Sequence, residues 1–178
     1  IERRRDEESR QRIIESDGIP LSSEYSEKTT VQEMDMKDLD EVLSIEASGT
    51  LAPWSKKMFM EEMRNASAFC FVIKKEDGSE QPMMGFICFR NLAEESELLK
   101  ICVHPDYRRL GIGRKLMQFY IDFSRRMGVQ TFHLEVNPSN QSAVRLYQSL
   151  SYQPSGMRKK FYQEKFDALL MMKRLRVA

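Results

Sequence analysis

One stretch of the sequence decides the fold: Val103-His104-Pro105-Asp106-Tyr107-Arg108-Arg109-Leu110-Gly111-Ile112-Gly113-Arg114. An apolar strand ends there, a proline-containing turn follows, and a helix begins between two closely spaced glycines. Because Gly111 and Gly113 carry no Cβ, backbone N–H groups can approach an anion closely. The unpaired N–H groups of a first helical turn and the helix dipole both favour negative charge. With Arg108, Arg109 and Arg114 as cationic donors, the stretch predicts a pyrophosphate-binding loop; a tight turn with solvated arginines is the alternative.

The loop matches neither of two common nucleotide-binding patterns. The fingerprint Gly-x-Gly-x-x-Gly would need glycine where Leu116 stands, and a Walker loop would need a following Gly-Lys-Ser/Thr, which is absent. The helix after the loop is well marked, because apolar side chains recur on one face from Ile112 to Met127 and Gly128 ends it. The alternation over residues 131–136 then predicts a strand.

The patterning of one compact domain begins at Val31, and residues 1–30 differ from it. The first 15 residues carry five arginines and five acidic side chains, so residues 1–30 are predicted to be a charged N-terminal extension, helical or disordered. Within residues 31–178 we expect a mixed sheet with helices on both faces, an α/β (α+β) fold. Its further predicted strands lie at 31–34, 68–74, 83–90, 96–103, 152–161 and 168–174, and its further helices lie at 35–47, after Ser55 and at 140–150.

Three stretches resemble the GNAT superfamily of N-acetyltransferases, in the order in which that family carries them. Arg108 to Gly113 is similar to the signature that holds the pyrophosphate of acetyl-CoA. Asn137 to Tyr147 resembles the family's Asn-x-x-Ala-x-x-Leu-Tyr helix, and Leu98 to Pro105 resembles the strand that pairs with the pantetheine arm. The resemblance implies a GNAT fold with a mostly antiparallel sheet of about seven strands, and acetyl-CoA as cosubstrate. The residues it assigns to acetyl-CoA are Ile101, Cys102, Val103, Arg108, Arg109, Leu110, Gly111, Ile112, Gly113, Arg114, Asn140, Ala143 and Tyr147.

Within the superfamily, three shorter stretches are similar to the RimI-like enzymes, which acetylate the N-terminal alanine of a ribosomal protein. They are Pro53-Trp54-Ser55, Leu134-Glu135-Val136 and Phe161-Tyr162, and the likeness covers about residues 31–174. It implies that the acceptor is a protein or peptide N-terminus, with Trp54, Phe161 and Tyr162 lining a peptide groove. Members of this group usually carry Asn where Lys100 stands and Gly where Ser151 stands.

Acetyl transfer to an amine needs a base for the amine and an acid for the departing thiolate. The resemblance assigns the base to Glu135, which the strand alternation puts on the face opposite the apolar side chains. Glu97, six residues before Val103, is the rival base, because some GNAT lineages carry theirs there. Tyr147 is the expected acid, since a phenol with a pKa of about 10 keeps its proton at neutral pH. Packing on the inner helix face is the alternative for Tyr147, and the two are compatible.

Composition limits the partners and the compartment. The net charge is +1, so no field of one sign directs the molecule to nucleic acid or membrane, and neither is expected as a partner. The three cysteines, which lie singly inside apolar runs, are expected to be buried reduced thiols of a cytoplasmic protein. No metal site is expected, because two distant histidines and these cysteines do not form a ligand set.

Two other functions remain open from the sequence. The chain could acetylate a small-molecule amine or a lysine side chain. It could also be a non-catalytic acetyl-CoA-binding module that docks partners through residues 1–30, although the presence of both Glu135 and Tyr147 favours an enzyme.

Overall fold

A computed structural model of the protein describes residues 28–49, 52–76, 81–162 and 166–175. The described residues form seven strands and four α-helices, with two short 3-10 turns at Met36–Asp38 and Pro105–Tyr107. In chain order the elements are β1 Thr29–Glu33, α1 Leu39–Gly49, α2 Lys56–Arg64, β2 Ala68–Lys75, β3 Met83–Leu92, β4 Glu95–Val103, α3 Ile112–Arg126, β5 Thr131–Val136, α4 Gln141–Ser149, β6 Gln153–Tyr162 and β7 Phe166–Arg174.

All seven strands belong to one sheet in the order β1-β2-β3-β4-β5-β7-β6. Every neighbouring pair is antiparallel except β4 and β5, which run parallel. A parallel pair needs a crossover connection, and α3 supplies it. The predicted mixed, mostly antiparallel sheet is therefore confirmed.

Each face of the sheet is covered by a different pair of helices. On one face, α3 and α4 pack over Phe69, Phe71 and Leu134 with the larger apolar cluster. On the other face, α1 and α2 pack over Cys70 and Val72 with a smaller cluster. Strand β2 illustrates why both faces are covered. Its successive side chains alternate between the two clusters, and its first six residues are all buried.

A bulge in β4 and an early end to its pairing with β5 shape the middle of the sheet. The register of β3 with β4 shifts so that Cys88 faces Lys100 while Phe89 faces Leu98, which leaves Leu99 as the extra residue. On the other side, β4 pairs with β5 only from Glu95 to Leu98. Residues 99–103 therefore have β3 along one side and no paired strand along the other within the described residues.

Side-chain caps mark where the helices begin. Ser55 caps α2 by accepting a hydrogen bond from the Met58 N–H, and Asn140 caps α4 by accepting one from the Ala143 N–H. Asp35 was predicted to start a helix directly, but it forms a capping box with Asp38 around a 3-10 turn, and the α-helix begins at Leu39.

Several predictions concern parts that the structure describes only partly. β1 begins at Thr29, while residues 1–27 lie outside the described residues, so the charged extension stays a prediction. The side chains of Phe161 and Tyr162 also lie outside the described part, so their predicted place in a peptide groove stays a prediction.

The three cysteines are free and buried, as expected. Among the described helices, none combines the length and apolar character needed to cross a membrane.

Candidate active site

A cavity of about 1050 Å³ lies in the gap where β4 and β5 separate. We call it the cleft; its walls come from the ends of both strands, the loop before α3, the start of α4 and the connection between α1 and α2. The lining includes these predicted site residues: Glu97, Ile101, Cys102, Val103, Arg108, Arg109, Gly111, Ile112, Gly113, Arg114, Glu135, Asn140, Ala143 and Tyr147. Leu110 is the predicted site residue that is outside the lining, and this residue is 57% exposed.

The loop before α3 has the features of an anion site. Gly111 is the N-cap of α3 with φ +80° and provides no side-chain cap, unlike the capping residues of α2 and α4. A Cβ added at Gly111 would meet nothing within 4 Å, and Gly111, Ile112 and Gly113 all line the cleft, so the start of α3 borders open space. Open, uncapped amides at a helix N-terminus suit a diphosphate, and the residues present therefore fit acetyl-CoA.

The three arginines of this loop have different surroundings. The Arg108 guanidinium donates to the Val103 carbonyl at 3.1 Å and to the Ser48 carbonyl at 3.2 Å, which ties the loop to the C-terminal end of α1. The Arg114 guanidinium donates to Ser149 Oγ at 2.8 Å and links α3 to α4. Arg109 is exposed and adopts φ +66°, a left-handed conformation that favours glycine. A direct contact of these guanidinium groups with phosphate stays a prediction.

Tyr147 lies where packing and chemistry can coexist. Tyr147 is 5% exposed and belongs to the α3/α4 cluster, with its ring centroid 6.0 Å from that of Tyr152. The same residue lines the cleft, next to Ala143 one helical turn earlier. The predicted inner-face packing is confirmed, and a role as general acid stays a prediction.

The two candidate bases share the sheet face that α1 and α2 cover. Glu97 and Glu135 both alternate with side chains of the α3/α4 cluster, namely Leu98 and Leu134. Glu135 is held more firmly, because its Oε1 accepts a hydrogen bond from Arg158 Nη1 at 3.0 Å. Its Oε2 is buried and has no hydrogen-bond partner among the described residues. Glu97 is exposed where it borders the cleft.

The sequence analysis missed three contributors on this same face. Arg158 of β6 contacts Glu135, and no local pattern in β6 indicated that. Glu46 and Lys100 line the cleft and form an ion pair at 2.8 Å. Lys100 differs from the residue usual in RimI-like enzymes, and this departure was the one available signal.

Cys102 lines the cleft but is poorly suited to covalent catalysis. Burial raises the pKa of its thiol, and the negative charge of Glu46 raises it further, whereas the positive charge of Arg108 lowers it. The nucleophilic form of cysteine is the thiolate, so a raised pKa disfavours an acetylated cysteine. No group of three or more His, Cys, Asp or Glu side chains that could hold a metal ion occurs in the described part of the chain.

Comparisons with known proteins agree with this geometry. A sequence model of the Acetyltransferase (GNAT) family matches residues 34–152. The ribosomal protein bS18-alanine N-acetyltransferase of Escherichia coli (strain K12) is 31% identical over 145 residues, 80% of this chain and 95% of that protein. The crystal structure of the E. coli ribosomal-protein-S18-alanine N-acetyltransferase has a TM-score of 0.75 at 30% identity, and the match covers 85% of this chain and 96% of that one.

A more distant structure shares the fold alone. Arabidopsis thaliana NAA60, solved in complex with acetyl-CoA, has a TM-score of 0.74 at 17% identity over 83% of this chain and 99% of its own. The seven-stranded sheet, the parting of β4 from β5 and the uncapped glycine loop thus occur together with a family match over most of the domain. On this evidence the chain belongs to the GNAT acetyltransferase family and is an N-acetyltransferase that uses acetyl-CoA.

Proposed function

We propose that this enzyme transfers the acetyl group of acetyl-CoA to the N-terminal α-amino group of a protein. The observation that carries the proposal is a cleft lined from both faces of the sheet. Ala143 and Tyr147 border it from the α3/α4 face, while Glu46 and Trp54 border it from the α1/α2 face. A donor held by the loop before α3 and an acceptor arriving on the α1/α2 face can therefore meet inside the sheet.

Two further arguments favour a protein N-terminus as the acceptor. The E. coli relative is named for acetylation of the alanine of ribosomal protein bS18, and it is similar over 80% of this chain. An α-amino group has a pKa of about 8 against about 10.4 for lysine, so neutralising a lysine at pH 7 costs about 3 kcal/mol more. A single carboxylate near the amine is thus a sufficient base for an N-terminus.

In the proposed mechanism, Glu135 is the base and Tyr147 is the acid. Acetyl-CoA supplies the activated thioester when bound. Glu135 accepts a proton from the attacking amine, directly or through one water, while Arg158 holds the other carboxylate oxygen. The new N–C bond forms as the C–S bond breaks, and the Tyr147 hydroxyl gives its proton to the sulfur. A backbone N–H near Val103 polarises the thioester carbonyl.

The acceptor is tested with purified protein, acetyl-CoA and a set of short peptides that differ at the first residue. We expect a mass increase of one acetyl group at the α-amine, located by fragmentation. A blocked α-amine with a free lysine in the same peptide is the control, and it should stay unmodified. Acetylation of polyamines or of lysine with no acetylation of any free N-terminus would overturn the proposal, and absence of turnover with every amine would favour a binding module.

The acid is tested by Tyr147→Phe, which keeps the ring and its packing. We expect kcat to fall by about 100-fold or more, with acetyl-CoA affinity nearly unchanged by calorimetry. Loss of affinity with little change in kcat would make Tyr147 a packing residue only.

The base is tested by a matched pair of substitutions, Glu135→Gln and Glu97→Gln. Both side chains lie on the same sheet face and border the same cleft. We expect Glu135→Gln to lower kcat/KM by about 100-fold and Glu97→Gln to lower it less than about 5-fold. The reverse order would transfer the assignment to Glu97.

A further inference from the structure

Two opposite charges face each other in the wall of the cleft. Glu46 lies in α1 and is 1% exposed, and Lys100 lies in β4 with a side chain that is 15% exposed. Glu46 Oε1 and Lys100 Nζ are 2.8 Å apart. The bulge at Leu99 makes this meeting possible, because it shifts the alternation of β4 and turns Lys100 toward the α1/α2 face.

Both members of the pair also hold the backbone of the segment that connects α1 to α2. Lys100 Nζ donates to the Ala52 carbonyl at 2.7 Å, and the Trp54 N–H donates to Glu46 Oε1 at 3.0 Å. Lys100 Nζ also lies 5.6 Å from the centroid of the Trp54 ring. Ala52 and Trp54 both line the cleft on the α1/α2 face, and we call these two residues the acceptor wall.

A buried ion pair is a weak source of stability, since an apolar pair of similar size often serves the fold as well. Here the arrangement is also incompletely satisfied, because Glu46 Oε2 is buried with no hydrogen-bond partner among the described residues. A costly polar arrangement that borders a substrate cleft and contacts its wall at several points is better explained by positioning than by stability.

We propose that the Glu46–Lys100 pair is a positioning device that fixes the acceptor wall and thereby sets the affinity for the amine substrate. The inference rests on the proposed function, in which the acceptor arrives on the α1/α2 face. The hydrogen bonds of the pair described above go to Ala52 and Trp54 on the α1/α2 face, whereas the glycine loop and α4 border the cleft from other sides. We therefore expect acetyl-CoA binding to be independent of the pair. Removing it should therefore affect the KM of one substrate and leave the other unchanged.

The test substitutes Lys100→Met, which keeps the aliphatic length and removes the charge. We expect the KM for the acceptor peptide to rise about 10-fold or more, because small displacements of substrate-positioning groups have large kinetic effects. The acetyl-CoA dissociation constant should change less than about 2-fold. The matched control is Lys74→Met, because the Lys74–Asp38 pair is equally close and buried, at 2.7 Å with side chains 13% and 3% exposed. Neither Lys74 nor Asp38 lines the cleft.

The control separates positioning from stability. Both single variants should lower the melting temperature, and Lys100→Met alone should raise the acceptor KM. The double variant Glu46→Gln/Lys100→Met removes the unpaired carboxylate, so it should regain stability while keeping the high KM. An unchanged acceptor KM in Lys100→Met and in the double variant would overturn the proposal, and so would an equal rise in Lys74→Met.

The wild-type assay distinguishes this inference from the proposed function. If the wild type acetylates polyamines or lysine and no peptide N-terminus, the proposed function fails, and the same KM comparison is made with the amine it does acetylate. If the wild type acetylates no amine at all, both proposals fail together.

Discussion

Tyr120 and Tyr152 are two fully buried phenols that differ in the surroundings of their hydroxyl groups. Tyr120 Oη donates to Ser96 Oγ at 2.8 Å, and Ser96 Oγ in turn donates to the Arg90 carbonyl at 2.9 Å. Tyr152 Oη is buried and has no hydrogen-bond partner among the described residues. Replacing each tyrosine by phenylalanine removes one oxygen atom and leaves the ring in place, so the two substitutions compare a satisfied hydroxyl with an unsatisfied one.

The expected effects have opposite signs. Tyr120→Phe removes a hydrogen bond with a net value of about 1 kcal/mol, so the free energy of unfolding should fall by that amount. Tyr152→Phe removes an unsatisfied buried hydroxyl, whose burial costs about 1–3 kcal/mol, so the free energy of unfolding should rise by about 1 kcal/mol. For a chain of this size, 1 kcal/mol corresponds to about 2–4 °C in melting temperature.

Urea denaturation followed by circular dichroism measures both variants against the wild type. The midpoints should move in opposite directions while the slope with denaturant stays the same, which indicates a change of stability in an unchanged fold. A loss of stability in Tyr152→Phe as large as that in Tyr120→Phe would refute the reasoning, since it would mean that the Tyr152 hydroxyl has a stabilising partner.

The same pair predicts how stability depends on alkaline pH. Burial raises the pKa of both phenols above the ordinary value. A group whose pKa is higher in the folded state holds its proton more tightly there. The stabilisation of the folded state that comes from this tighter binding is fully present below the unfolded pKa of about 10, and it is lost as the pH rises from there through the folded pKa. Stability should therefore fall above about pH 10, and it should fall less steeply in each phenylalanine variant.

Three further predictions concern residues around the cleft. Gly85→Ala should lower the free energy of unfolding by about 2–3 kcal/mol, measured by denaturation, because the new Cβ would lie 2.6 Å from the Cys102 carbonyl oxygen. Cys102→Ala should keep kcat within about 3-fold, and intact-protein mass spectrometry of the wild type during turnover should find no acetylated cysteine, because burial raises the pKa of that thiol. A strong loss of activity would instead give Cys102 a chemical role. Gly111→Ala should cost about 1–2 kcal/mol of stability, since φ is +80°. Calorimetry should also find a lower affinity for acetyl-CoA, because the added Cβ would stand in the open space where the backbone N–H groups are expected to approach the diphosphate. An unchanged affinity would contradict that position for the diphosphate.

Local patterns predicted the elements whose information lies in neighbouring residues. Strand β5 has the predicted bounds Thr131–Val136, and α3 ends one residue before its predicted end, because period and termination signals are local. The helices predicted after Ser55 and at 140–150 are found as α2 and α4 for the same reason, since each begins at a local side-chain cap. Ser151 illustrates the limit, since it adopts φ +67° at a position where glycine is usual in RimI-like enzymes. The resemblance indicated the position, but only the structure shows that serine keeps the left-handed turn.

The sequence by itself determined the glycine loop, the helix that begins at it, the alternating strands and, through resemblance, the family. Tertiary structure alone decided what lies across the cleft from these elements. The Leu99 bulge, the end of β4–β5 pairing at Leu98 and the contacts of Lys100 with Glu46 and of Glu135 with Arg158 all join residues distant in the chain. Periodicity reports which side of its own element a residue faces, whereas strand register and side-chain pairing depend on how separate elements pack.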